Sequence, residues 1–160
     1  MNESLYNNLL NLSRNKFFYT KIKLDDTFET RLILMFIHFS LMMISTKKKG
    51  IKFSQEDYDF LFHNIENNLR EIGLGDVNVN KKMKEFNRIL YDILLKLETN
   101  FNNNNSLKSN SLIFKKYFTK LNKAKNEELE QIQNYFENFY NFCFELSTKN
   151  MLKDINKFRF

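Results

Sequence analysis

Apolar residues recur along this chain at steps of three and four, the period of helices that bury one face. Leu5, Leu9, Leu10, Leu12 and Phe17 predict an amphipathic helix over residues 4–20. A polar link, 21–23, follows. Asp25 or Asp26 is placed to cap the next helix, and Glu29 stands at capping-box distance from Asp26. That helix runs to about Ile44 and is apolar on nearly every face, which predicts the centre of a bundle. Its longest apolar run, Leu32 to Ile44, is shorter than the roughly 17–25 residues of a membrane span, so a buried core helix is expected.

The rest of the chain continues the pattern. Residues 46–50 read as a basic turn. Ser54, with Asp57 three positions on, predicts a capped helix to about Ile72, with Phe53 and Tyr58 placed as a hydrophobic staple. Its inward stripe is Phe60, Leu61, Ile65, Leu69 and Ile72. Gly73 is the expected stop, residues 73–79 a short loop, and Asn80 the cap of a helix to about Glu98. Met83, Phe86, Leu90, Ile93 and Leu97 are among its inward positions. The Asn-rich stretch 99–110 predicts a flexible loop. Helices near 111–124 and 126–148 and a short one within 150–158 complete an all-α, single-domain helical bundle of about six helices.

Composition sharpens this picture. The 160 residues hold no proline, three glycines and one alanine, while Asn, Lys, Phe and Ile abound as in an AT-rich coding sequence. Scarce glycine and absent proline argue against a β-sandwich or barrel, which needs many tight turns. A single cysteine, Cys143, excludes an internal disulfide and a multi-cysteine metal site, and it fits a reducing compartment.

The net charge of +6 favours anionic partners, although AT-rich codons also inflate lysine. The charge is uneven: +4 over residues 1–50, −2 over 51–98 and +4 over 99–160. The N-terminus lacks the layout of a secretory signal. Residues 1–20 bear a distant likeness to a transit peptide, but Arg14 and Lys16 are their only cations.

Catalytic chemistry is thinly represented. His38 sits in the most apolar helix, where a hydrogen-bonded core histidine is the favoured reading and a haem axial ligand the sharper one. His63 reads as a surface residue and Cys143, between Phe142 and Phe144, as an inert buried thiol. The Gly73-Leu74-Gly75-Asp76 run follows a helix rather than a strand, so it is not a phosphate loop. Asp57, Asp59 and Glu66 read as a solvated helix face. Lys81, Lys82 and Lys84 open the expected helix at 80, where the macrodipole disfavours cations, and such a placement suits binding.

One segment carries a family likeness. Leu69-Arg70-Glu71-Ile72-Gly73-Leu74-Gly75-Asp76, a short apolar loop, and Lys81-Lys82-Met83-Lys84 together resemble the signature of the ubiquinol–cytochrome c chaperones. The helix holding Arg31 and His38, and the Phe53-Ser54-Gln55 run, are similar to the same family. The likeness covers roughly residues 17–98. Where the family carries a Tyr-Gly-Arg-like element this chain has Leu90-Tyr91-Asp92, and residues 99–160 show no family motif.

The resemblance implies a non-enzymatic, cofactor-free assembly chaperone that binds newly made cytochrome b of the respiratory bc1 complex. It implies a partner-binding site at Arg70, Glu71, Gly73, Gly75, Asp76, Lys81, Lys82, Met83 and Lys84, with Arg31 and His38 as secondary candidates. Family members also suggest a ribosome, an inner-membrane surface and a small co-chaperone as further partners. Because the domain begins close to residue 1, a bacterial cytoplasmic protein peripheral to the inner membrane is expected ahead of a mitochondrial matrix protein. Two rival readings remain: a basic helical adaptor for ribosomal RNA or anionic membrane, and an enzyme linked to haem through His38.

The corner itself has a direct physical reading. Gly73 suits a left-handed helix stop that costs other residues about 1 kcal/mol. Gly75 would permit a second bend. Asp76 is placed to accept backbone N–H groups, and Arg70 to pair with Glu66 one turn back.

Overall fold

The computed structural model describes residues 2–104, 111–123, 126–147 and 149–160. Their order is α1 (Asn2–Ser13), α2 (Lys16–Thr20), α3 (Phe28–Lys48), α4 (Gln55–Glu71), α5 (Asp76–Asn104), α6 (Ser111–Tyr117), α7 (Asn126–Glu145) and α8 (Met151–Asp154). Short 3-10 turns follow α6 and α8, at Thr119–Asn122 and Ile155–Lys157. No strand occurs among the described residues.

The all-round apolar α3 takes the centre, packed by α1, α5 and α7. Fourteen of its residues are buried. By length and composition it is long and apolar enough to cross a membrane, but here its apolar surface is consumed by neighbouring helices. α4 closes the bundle against α1 and α5. The C-terminal turns fold back onto α1, where the Asn8 amide donates to the Leu152 carbonyl at 2.6 Å.

Helix ends are where the fold departs from expectation. The expected helix 4–20 is two helices, because the Asn15 side chain accepts the Phe17 N–H at 3.0 Å and starts a new one. Thr27, not Asp25 or Asp26, caps α3 by accepting from Thr30 N. Asp26 instead faces Arg31 at 3.6 Å, and Asp25 faces Lys120 at 2.6 Å. α3 continues four residues past Ile44, so Lys47 and Lys48 occupy its last turn, where the dipole favours cations. Gly50, at φ 81, then ends it: its N–H reaches Lys47 O, and Ile51 N reaches Thr46 O.

Ser54 and Asp57 form the expected capping box. Phe53 lies edge-on to Phe39, and Tyr58 stacks on Phe62. α5 is longer than expected at both ends, beginning at Asp76 and running to Asn104, so residues 99–104 of the expected loop are helical. The remainder of that loop, 105–110, and residues 124 and 148 of the expected helices lie outside the described residues.

Candidate functional site

The α4–α5 corner is built by one helix stop and one helix start, four residues apart. The end of α4 is a Schellman motif: Leu74 N donates to Leu69 O at 3.2 Å and Gly73 N to Arg70 O at 3.0 Å. Gly73 sits at φ 97, the left-handed conformation expected of it. Gly75 does not: its φ lies outside that region, and its carbonyl instead accepts Val79 N at 2.9 Å to open α5. The expected loop 73–79 therefore shrinks to three residues, and Asp76, not Asn80, leads the helix. An acidic first residue suits the positive end of α5. Lys81, Lys82 and Lys84 consequently lie beyond the first turn, so the expected clash with the macrodipole is absent.

Arg70 is the electrostatic hub of the corner. Its guanidinium donates to Asp76 across the turn and to Glu66 at 3.1 Å one turn back. Those two hydrogen bonds hold the exposed guanidinium firmly protonated. The Asp76 carboxylate is thus engaged with Arg70. Ile72, expected in the inward stripe, is 63% exposed because the chain leaves the helix there. Val77 is 82% exposed on the other side of the turn. The corner therefore shows solvent two apolar side chains beside a fixed ion triad.

A cleft of about 210 Å³ opens next to it, between α1, α3 and α4. Its walls are apolar, from Leu10, Phe28, Leu32, Met35 and Ile65. Its rim carries Arg14, Arg31, Glu71 and Ile72. Within its lining the half-buried Asn68 donates to the Tyr6 hydroxyl, and burial raises that phenol's pKa. Thus Arg31 and Glu71, forty positions apart in sequence, meet at one opening.

The other candidates separate. Met83 packs half-buried against the core, and Lys82 turns towards Glu85 at 3.4 Å. Lys81 and Lys84 are exposed further along α5. His38 lies elsewhere, fully buried. Its Nδ1 bonds the Leu34 carbonyl at 2.6 Å, and its Nε2 the Tyr135 hydroxyl at 2.9 Å. A carbonyl can only accept, so Nδ1 carries the proton and Nε2 accepts from Tyr135. Burial lowers the His38 pKa to about 3, so the ring is neutral. Both nitrogens are occupied by protein partners, which is the core reading rather than the haem one.

Further sequence expectations settle locally. His63 is exposed, and Cys143 is a free, buried thiol whose pKa burial pushes up. Phe144 is 45% exposed, with the Lys49 ammonium over its ring at 5.3 Å. The basic run 47–49 is tied into the fold. Lys47 pairs with Glu98, Lys48 lies over the Phe101 ring at 5.5 Å, and Lys49 donates to the Cys143 carbonyl at 3.2 Å. Tyr6, Arg14 and Asn68 were missed as site residues. Each is unremarkable within its own helix, and only the packing of α1 on α4 brings them to the cleft.

The chain is thus an all-α scaffold with a charged corner beside an apolar cleft. The ubiquinol-cytochrome C chaperone family model matches residues 20–153, and the chain belongs to that family. Its members are assembly chaperones for the ubiquinol–cytochrome c system, not enzymes. The match extends well past residue 98, to which the recognisable motifs reach. Among solved structures, the chain resembles the Cbp3 homolog from Brucella abortus at a TM-score of 0.72 and 17% identity, over 99% of this chain and 87% of that one. That likeness shows a shared fold. A search of curated protein sequences returns no match.

Proposed function

We propose that this chaperone holds newly made cytochrome b during bc1 assembly, with the α4–α5 corner and its cleft as the client site. The observation that carries this reading is the joint placement of Arg31, Glu71 and Ile72 on the rim of one apolar cleft. A membrane protein awaiting insertion offers apolar segments ended by charged residues. Apolar walls take the first, and the rim charges set the register of the second.

In this reading Gly73 and Gly75 shape the corner, and Arg70, bridged to Asp76, fixes its charge pattern. Lys81, Lys82, Met83 and Lys84 extend the surface along α5. A bacterial cytoplasm, at the inner membrane, is the compartment in which such a client emerges. Ribosome or co-chaperone contacts would serve the same step.

A deletion strain tests it. Loss of the gene lowers b-type haem absorbance of membranes while total membrane protein stays normal. Re-expressed wild type restores it, and a variant combining Ile72→Asp with Arg31→Glu does not, although it accumulates and melts like wild type. An unchanged b-haem spectrum in the deletion strain overturns the proposal.

A further inference from the structure

A second cleft, of about 310 Å³, opens at the start of α4, the opposite end of that helix from the client cleft, and shares no residue with it. The end of α3, the link into α4 and the C-terminal tail each form part of it. Its volume lies at the lower edge of the roughly 300–1,000 Å³ of small-molecule sites. Ile51 and Phe53 of the link, with Met151 and Leu152 of the tail, make its walls apolar.

Its polar groups divide into spent and unspent. Thr46, buried in the last turn of α3, donates its hydroxyl back to the Met42 and Met43 carbonyls at 3.0 Å. The Asp57 carboxylate accepts the Ser54 hydroxyl at 2.8 Å. Lys52 and Lys149 come from opposite ends of the chain, and both are exposed. Neither makes an ion pair with another described residue. Their neighbours differ, since Lys47 is tied to Glu98 and Lys49 to the Cys143 carbonyl. Two ammoniums and one carboxylate thus leave a single net positive charge beside apolar walls.

We infer that this cleft binds a free monocarboxylate with a short apolar body, such as a medium-chain fatty acid. The walls take the body, and Lys52 and Lys149 take the head. One negative charge matches the net charge of the cleft, whereas a phosphate dianion exceeds it. At about 30 Å³ per heavy atom the cleft holds about ten, the size of an eight-carbon acid and far too few for the two chains of a membrane phospholipid. The tail supplies two of the walls, and its Leu152 carbonyl accepts the Asn8 amide of α1. A bound acid therefore ties the tail to α3 and α4 and stabilises the fold by mass action.

Titration of the full-length chain with octanoate, followed by methyl NMR and thermal unfolding, tests this. Octanoate shifts the Ile51, Met151 and Leu152 methyl signals saturably, with a dissociation constant on the order of 1 mM or below, and raises the melting temperature. Octanol, which lacks the charge, and acetate, which lacks the body, each bind at least about ten-fold more weakly. Lys52→Gln/Lys149→Gln weakens octanoate binding about ten-fold. Ile51→Asp, at a side chain 46% exposed, sets a carboxylate in the wall and abolishes it. Both variants melt like wild type without ligand, which shows that they fold. The inference is overturned by octanol binding as tightly as octanoate, or by the folded double-Gln variant binding like wild type. No saturable shift in wild type overturns it too, as do shifts confined to Leu10, Leu32 and Ile65 of the client cleft.

Discussion

His38 shows how one residue can look like chemistry and act as structure. Its ring is enclosed edge-on by Phe136 and Phe139, at 4.9 and 4.7 Å between centroids. Its Nδ1 bond to Leu34 stays within α3, and its Nε2 bond to Tyr135 joins α3 to α7. Tyr135 is also within hydrogen-bonding reach of Asn15, the residue that breaks the first helix in two, so the network reaches three elements. Replacing His38 by Phe keeps the packing but leaves the Tyr135 O–H without its acceptor, and chemical denaturation should show a loss of about 1–3 kcal/mol. Adding Tyr135→Phe removes that unmatched donor and recovers part of the loss.

The same residue predicts acid sensitivity. Its folded pKa of about 3 lies below its ordinary value of 6.5, so below that value the unfolded chain takes up a proton that the folded chain refuses. This contribution is fully present above pH about 6.5 and falls by up to about 1.4 kcal/mol per pH unit as the pH drops towards 3. His38→Phe should flatten that dependence. A His38→Phe stability profile as steep as wild type between these pH values would contradict the assignment.

At the level of elements, the two corner glycines look alike in sequence and differ in structure. Gly73 holds a left-handed conformation inside a Schellman motif, while Gly75 opens α5 with an ordinary φ and open space around its missing Cβ. Gly73→Ser should cost about 1–2 kcal/mol, read as a lower melting temperature. Gly75→Ser should be neutral or slightly stabilising, because serine is a preferred residue at a helix start. The helices themselves were legible from apolar periodicity, but several of their ends were not. Ends are decided by which small polar side chain meets a free N–H. At Thr27 and Asn15 that outcome depended on what held Asp25, Asp26 and Tyr135 elsewhere.

For the molecule as a whole, residues 151–160 act as a clasp. Met151, Ile155 and Phe158 are buried, Asn156 donates to the Asn8 side chain, and Phe160 lies 5.0 Å from the Phe17 ring. Ending the chain at residue 150 uncovers α1 and part of α7. Burying each large apolar side chain contributes roughly 1.5–3 kcal/mol, so the loss of three rivals the 5–15 kcal/mol stability of an ordinary domain. The truncated chain should melt far below wild type or fail to fold, as thermal unfolding by circular dichroism would show. No sequence motif marked this tail as structural.

Local order in the chain determined the helical class, the central helix, the capped start of α4, the Gly73 stop and the family motif. These depend on neighbours within one or two turns, so a single strand of letters contains them. Tertiary packing alone decided the cleft that joins Arg31 to Glu71, the conversion of the lysine run at 47–49 into internal contacts, and the occupation of both His38 nitrogens. It also decided which face of α5 was left to solvent. Each of these turns on partners far apart in sequence, and periodicity names the face that a helix buries without naming what it is buried against.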